Sequence, residues 1–277
     1  MIIHLIDGTY ELFRHFYGLR RFNKTSDPPF GAVIGVLNTV LQMIEEGATH
    51  VGVATDHVIE SFRNDLWAGY KTGDGIEPAL RAQFEPLETA LAAMGVAVWP
   101  MVELEADDAL ASAARLAIED ERVEKVCIWT PDKDLAQCVR DDRVVQVDRK
   151  TKAIRDTAAI QLKFGVEPRF IPDFLALVGD SADGYPGIEG IGRTTAARLI
   201  GRYGRIEDFP PTVLGEHRAQ ALLFKKLATL RTDAALFANV DELEWRGALD
   251  TFADCTTRMG DTRPLNRARK AAASHKT

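Results

Sequence analysis

The chain has 277 residues, 46% hydrophobic and 27% charged, with 34 Lys and Arg against 41 Asp and Glu for a formal net charge of −7. That is the profile of a soluble protein of one large or two small domains with a real core, and its acidity, taken alone, weighs against nucleic acid as a partner. The start, "MIIHLIDGTYELFRHFYG", has no basic n-region and meets Asp7 early, which excludes a signal peptide and a membrane span there.

In chain order, "MIIHLID" reads as a short strand ending at Asp7, followed by a helix from about Glu11 and a loop over 22–30. Apolar positions 33, 37, 40, 41 and 44 repeat with helical period, and Gly47 ends that helix. "VGVAT" at 51–55 is a second strand, ending at Asp56; a helix is expected near 78–94, and "VAVWP" at 96–100 is a third strand. "ELEADDALASAARLAIED" predicts a helix, "VCIWT" at 126–130 a fourth strand running into "PDKD", and "RVVQVD" at 143–148 a fifth. Alternation on this spacing predicts an α/β fold with a mainly parallel sheet and flanking helices. From about Asp156 the pattern becomes helical. The expected organisation is an α/β core over 1–155, a helical region over 156–277 packed on it, and a frayed basic tail, "RARKAAASHKT".

Parallel strands bring their carboxyl ends to one edge of the sheet, where open α/β folds bind ligands. Asp7, Asp56 and Asp132 sit at or just past such ends, and Glu105 follows the third strand. With Asp107, Asp108, Asp134, Asp180 and Asp183 they make a carboxylate set suited to two hard divalent ions. Asp107 and Asp108 point about 100° apart on a helix, so at most one belongs next to an ion. Asp132 and Asp134 alternate across Lys133, and Asp180 and Asp183 have the spacing of a helical turn. Zinc is set aside because His4, His15, His50, His57, His217 and His275 show no zinc spacing with one another or with Cys127, Cys138 and Cys255, which read as reduced cytoplasmic thiols. "DGT" resembles a phosphatase nucleophile loop but has Thr9 where the second aspartate would stand.

"GDSADGYPGIEGIGRTTAARLI" runs through glycine-punctuated turns into a helix opening on Arg193, Thr194 and Thr195. Helix N-termini expose free N–H groups, and glycine lets backbone approach a phosphate. A helix–turn–helix hairpin gripping a DNA backbone fits, as does a plain capped connection between helices. The net charge conceals a basic stretch: 193–231 holds eight Lys and Arg against three acids, and 263–277 holds five basic residues and no acid. Between Asp56 and Glu105, the candidates for substrate contact are Arg63, Tyr70, Lys71 and Arg81. There Lys71 would meet a phosphate and Tyr70 would stack on a base, in a segment that Gly73 and Gly75 suggest is mobile.

The motifs "LIDGTYELFRHF", "FRNDLWAGYK", "ELEADD", "TPDKDLAQCV", "KFGVEP" and "FLALVGDSADGYPGIEGIGRTTAARLI" resemble the 5′ nuclease family. This family includes the 5′–3′ exonuclease domain of bacterial DNA polymerase I, phage 5′ exonucleases and flap endonucleases. The resemblance covers roughly residues 1–230 and implies a PIN-like nuclease core with a mobile arch at about 57–95. It also implies a helix–three-turn–helix element at about 171–203. It implies Asp7, Asp56, Glu105 and Asp107 around a first Mg²⁺, with Asp132, Asp134, Asp180 and Asp183 around a second; Asp107 lies near both and Asp108 supports the cluster. Mn²⁺ would substitute, and K⁺ would sit at the glycine hairpin. Lys71 falls at the lysine that reaches the attacked phosphate and Tyr70 at the preceding aromatic. DNA contacts are expected from Arg14, Arg63, Arg81, Gly187, Gly190, Gly192, Arg193, Thr194 and Arg198.

The chain departs from the family at three positions: Gly184 stands where Asn is common, Arg193 where Lys is usual, and "TGDGIE" follows Lys71 where a further arginine is typical. The implied activity is Mg²⁺-dependent hydrolysis of DNA at 5′ ends, flaps or nicks by a stand-alone cytoplasmic monomer, with no membrane and no small-molecule cofactor. A DNA-junction-binding protein with little or no catalysis and an RNA-cutting nuclease on the same core are the alternatives.

Overall fold

The computed structural model describes residues 1–20 and 28–274. Most of the predicted 22–30 loop and the last three residues of the basic tail lie outside them. The strands are β1 (Ile2–Asp7), β2 (His50–Asp56), β3 (Ala97–Met101), β4 (Lys125–Trp129), β5 (Val144–Val147) and β6 (Ile154–Arg155). They form one sheet in the order β3-β2-β1-β4-β5-β6, parallel except for the antiparallel β5–β6 pair. The α/β expectation is met, and all five predicted strands are present within one or two residues.

The first helices are α1 (Gly8–Arg20), α2 (Gly31–Glu45), α3 (Phe62–Leu66), α4 (Pro78–Arg81), α5 (Phe84–Ala93) and α6 (Ala106–Ile118). There follow α7 (Thr157–Phe164), α8 (Ile171–Val178), α9 (Arg193–Tyr203), α10 (Pro211–Leu214), α11 (Arg218–Ala228), α12 (Thr251–Arg258) and α13 (Arg263–Ser274). Alternation in β1 sends Ile3 and Leu5 to the face covered by α6 and Ile6 to the face covered by α1 and α2. A separate apolar cluster, including Phe164, Phe174, Ile200 and Phe224, holds α7, α8, α9 and α11 together. Among the described residues no helix is long and apolar enough to cross a membrane.

The chain's end differs from the expected frayed tail. Residues 263–274 form α13, which buries Ala268 and Ala271 against α2, while Arg267 makes paired bonds to Glu45 (2.9 and 2.7 Å) and another to Asn38 (2.6 Å). Small side chains three apart make a flat stripe that a neighbouring helix can approach closely. Trp245 likewise returns to the first core, donating to the Met94 carbonyl at 2.9 Å. The stretch 57–95 is docked as three short helices, and Leu87 and Leu91 of α5 belong to the first core.

Candidate metal centre and glycine hairpin

β1 is flanked by β2 on one side and β4 on the other, and the chain's crossovers reverse direction there, so the switch point at which open α/β folds bind ligands lies at the carboxyl edge of β1 and β4. Asp7 closes β1, and its carboxylate accepts from the Tyr10 amide (2.8 Å) and the Thr130 hydroxyl (3.0 Å). Asp56 closes β2 and accepts from the Ala106 amide at the start of α6 (2.8 Å). Glu105 is the N-cap of α6, with Asp107 in its first turn. Asp132 follows β4 and accepts from the Asp134 amide (2.8 Å), which starts a 3₁₀ turn and turns the Asp134 carboxylate inward.

The electrostatics of this rim are adverse without counterions. Burial pushes the Asp7 carboxyl up to about 7, and Asp56 and Asp132 add to the rise against the Tyr10 and Thr130 bonds. Burial also raises Asp107 and Asp134 well above the ordinary carboxylate range, reinforced by Asp132 and Asp7 for the former and by Asp132, Asp183 and Asp180 for the latter. Asp56 and Asp183 shift upward too, burial first, with Lys71 opposing. Asp134, Asp180 and Asp183 bring ligand oxygens within 4.8 Å of one another, and Asp134 Oδ1 is buried with no hydrogen-bond partner. An all-oxygen donor set with an orphaned carboxylate oxygen fits a hard divalent cation. No other acidic trio among the described residues is as tight.

Lys71 joins the two halves of the rim. Its Nζ lies 2.7 Å from Glu105 and 3.0 Å from Asp183. Burial lowers its pKa, but Glu105 and Asp183 overcome that and hold it well above its ordinary value. Burial raises Glu105 in turn, and Lys71 and Arg63 reverse the sign.

Several expected roles meet a different placement. Asp180 and Asp183 do not share a helical turn; α8 stops at Val178, and Asp180 exchanges backbone bonds with Tyr185 across a tight reversal. Asp108 is fully buried, and its oxygens accept from Arg63 and from the amides of Glu105 and Arg231, so it supports the cluster without facing it. Arg63, a candidate for substrate contact, is only 1% exposed and cannot meet DNA directly. Tyr70 is 4% exposed within the second core and donates its hydroxyl to Glu105 at 3.3 Å, so its ring is not free to stack on a base. Arg81 is exposed at the end of α4, and Arg14 pairs with the buried Glu11 on its own helix. Sequence reasoning missed Thr130, Ser61 and Lys133. They bond Asp7, Glu105 and Asp180 respectively, and the hydroxyls carry only the ordinary signal of residues at a strand end and a helix cap.

The glycine hairpin joins α8 to α9. Gly187 is buried at φ +77°, and a Cβ there would lie 2.4 Å from the Gly179 nitrogen. Its role is therefore close packing against the end of α8, whereas Gly190 and Gly192 are exposed over open space. Arg193, Thr194 and Arg198 are exposed on α9, and Arg193 also donates to the Lys163 carbonyl (3.1 Å). The segment before Lys71 is stitched to this region. Lys71 N–H donates to the Asp183 carbonyl (3.0 Å), Trp67 Nε1 donates to the Gly184 carbonyl (3.1 Å), and a Cβ on Gly184 (φ +83°) would lie 2.0 Å from the Gly69 oxygen. Gly184→Asn is therefore expected to lever residues 67–71 and Lys71 off the rim. Scanning calorimetry should show a lower melting temperature than for the parent.

The chain matches the family model described as the N-terminal resolvase-like domain of 5′–3′ exonucleases over residues 2–165. It matches the C-terminal SAM-fold model of the same enzymes over 166–251. It is 35% identical over 259 residues to DNA polymerase I of Pseudomonas aeruginosa, covering 86% of this chain and 28% of that protein. It is 32% identical over 208 residues to a 5′–3′ exonuclease of Aquifex aeolicus, covering 74% of this chain and 71% of that protein. The chain thus spans less than a third of its polymerase I relatives. Its fold is similar to T5 5′-exonuclease with divalent metal ions (zinc) bound, at TM-score 0.65 and 18% identity over 99% of both chains. The catalytic core of Rad2 in complex with DNA substrate gives TM-score 0.59 and 12% identity over 98% of this chain and 90% of that one. The chain belongs to the 5′–3′ exonuclease family.

Proposed function

We propose that the chain is a divalent-metal-dependent 5′ nuclease that hydrolyses phosphodiesters in DNA at 5′ ends, flaps or nicks. The observation that carries this reading is the convergence of acids from separate segments on one sheet edge, with Lys71 between Glu105 and Asp183. Asp134, Asp180 and Asp183 would hold one ion, and Asp7, Asp56, Glu105 and Asp107 a second, with Asp132 beside both. Mg²⁺ is the natural occupant and Mn²⁺ its substitute. Such ions, when bound, supply an activated water and charge stabilisation at the leaving oxygen.

The remaining work falls to the protein. Lys71 stays protonated and offers its ammonium to the attacked phosphate. The free N–H groups at the start of α9, with Arg193, Thr194 and Arg198, take phosphates of the duplex, where Gly190 and Gly192 leave the backbone open and K⁺ would help. Arg14 and Arg81 are the further cations proposed to meet the strand. The buried Arg63 and Tyr70 act from behind the site. The 57–95 stretch would cover the 5′ strand.

The test is an end-labelled 5′-flap incubated with Mg²⁺ or with EDTA, run in DNA and RNA versions. Products in Mg²⁺ alone, on DNA, are expected. Retarded complexes without products would instead indicate a junction-binding protein, and preferential cutting of the RNA version an RNA nuclease.

A further inference from the structure

Arg63 uses all five of its N–H donors inside the protein. Nε donates to the Leu227 carbonyl (2.8 Å), Nη1 to Glu105 (3.0 Å) and Asp108 (2.7 Å), and Nη2 to Asp108 (2.7 Å) and the Thr229 carbonyl (3.2 Å). Its partners come from two separate parts of the fold. Glu105 and Asp108 form the N-terminal cap of α6, which brings Glu105 and Asp107 to the rim; Leu227 and Thr229 end α11. Asp108 extends the joint by accepting from the Arg231 amide (2.8 Å). α11 lies along α8, and Lys225 of α11 pairs with Asp173 of α8 at 2.7 Å. α8 leads directly into the glycine hairpin. Leu227 and Thr229 stand 164 and 166 positions from Arg63, so no local sequence feature sets this distance.

We propose that Arg63 is a positioning residue that fixes which phosphodiester is cut, because it locks the α8–α11 pair bearing the hairpin to the carboxylates of α6. This rests on the nuclease reading. If the hairpin grips the duplex and the rim performs the chemistry, the span between them sets where along the strand the cut falls. A planar guanidinium that meets carboxylates and carbonyls at once holds that span rigidly; a lysine ammonium has three donors and no fork, so it cannot.

The test compares the parent, Arg63→Lys, and the double variant Arg63→Met with Asp108→Asn, in which both charges leave together so that neither stays buried alone. Three measurements are made: product lengths on an end-labelled flap in Mg²⁺, duplex affinity in EDTA, and scission of bound DNA by hydroxyl radicals that Fe²⁺, in place of Mg²⁺, generates from added hydrogen peroxide with ascorbate to re-reduce the iron. The radical scission locates the centre on the strand without hydrolytic turnover.

The parent is expected to give one dominant product. In both variants the rate at that phosphodiester should fall roughly 10- to 100-fold. New cuts and radical scission should spread to neighbouring nucleotides, with duplex affinity unchanged. A variant that is slower but still cuts, or directs radical scission, only at the parent position would overturn the proposal and leave the nuclease reading intact. A parent without Mg²⁺-dependent products would remove both.

Discussion

Asp134→Ala is expected to abolish cleavage of a 5′-flap while duplex affinity stays at or above the parent level. The metal-free variant should also melt at a higher temperature. Asp134 is 4% exposed, one of its oxygens has no partner, and Asp132, Asp183 and Asp180 crowd it with like charge. A buried carboxylate in that state costs stability, on the order of 1–3 kcal/mol for the unsatisfied polar group alone. Alanine removes the cost and brings one negative charge fewer to the approaching phosphates. In the loaded enzyme the same change deletes a member of the tightest acidic trio, and the loss in single-turnover rate should reach at least about 1000-fold. Calorimetry in EDTA, binding in EDTA and turnover in Mg²⁺ separate the three effects. Turnover near the parent rate would take Asp134 out of the centre.

The strand-end acids were legible because their logic is topological: a parallel sheet fixes one edge, and Asp7 and Asp56 fall on it whatever the side-chain packing. Arg63 was not, since a cation in a polar stretch looks the same whether it faces solvent or a carboxylate presented from α6. Only the arrival of the Leu227 and Thr229 carbonyls decides it. Asp108 shares that ambiguity, although the angle between adjacent helical positions did predict that it and Asp107 would separate. α13 escaped because Ala268 and Ala271 carry little hydrophobic signal, and their burial depends on how closely α2 approaches. Gly187 was read as part of a phosphate cradle because glycine lets backbone approach closely, and a close approach is what the position has. What the sequence could not show was the neighbour that fills its space, the backbone at Gly179.

The second large effect concerns Mg²⁺ and pH together. In the metal-free protein the Asp7 carboxyl titrates at about 7, whereas an aspartate in an unfolded chain titrates near 4. Between those values the folded protein keeps a proton that the unfolded chain has released. The Asp7 contribution to stability therefore declines as pH rises from about 4 to about 7 and levels off above, by roughly 4 kcal/mol for a shift of that size. Asp107, Asp134 and Asp183 shift in the same direction and deepen the decline. Glu105, held below its ordinary value once Lys71 and Arg63 outweigh its burial, adds stability that is lost only in more acidic solution, so it does not mask the trend. Divalent ions bind the ionised carboxylates and compete with those protons. Half-buried His4 and His15, both pushed down to about 4 by desolvation, pull the other way between pH 4 and 6.5, because the unfolded chain takes up protons there that they do not. The rim acids are therefore read from the Mg²⁺ increment rather than from the EDTA melting temperature itself. The increment from added Mg²⁺ should be small at about pH 5.5 and large at about pH 7.5, and cleavage should rise in parallel. An increment independent of pH would mean that the rim acids are already ionised without metal, and that their mutual repulsion is relieved by something other than protons or divalent cations.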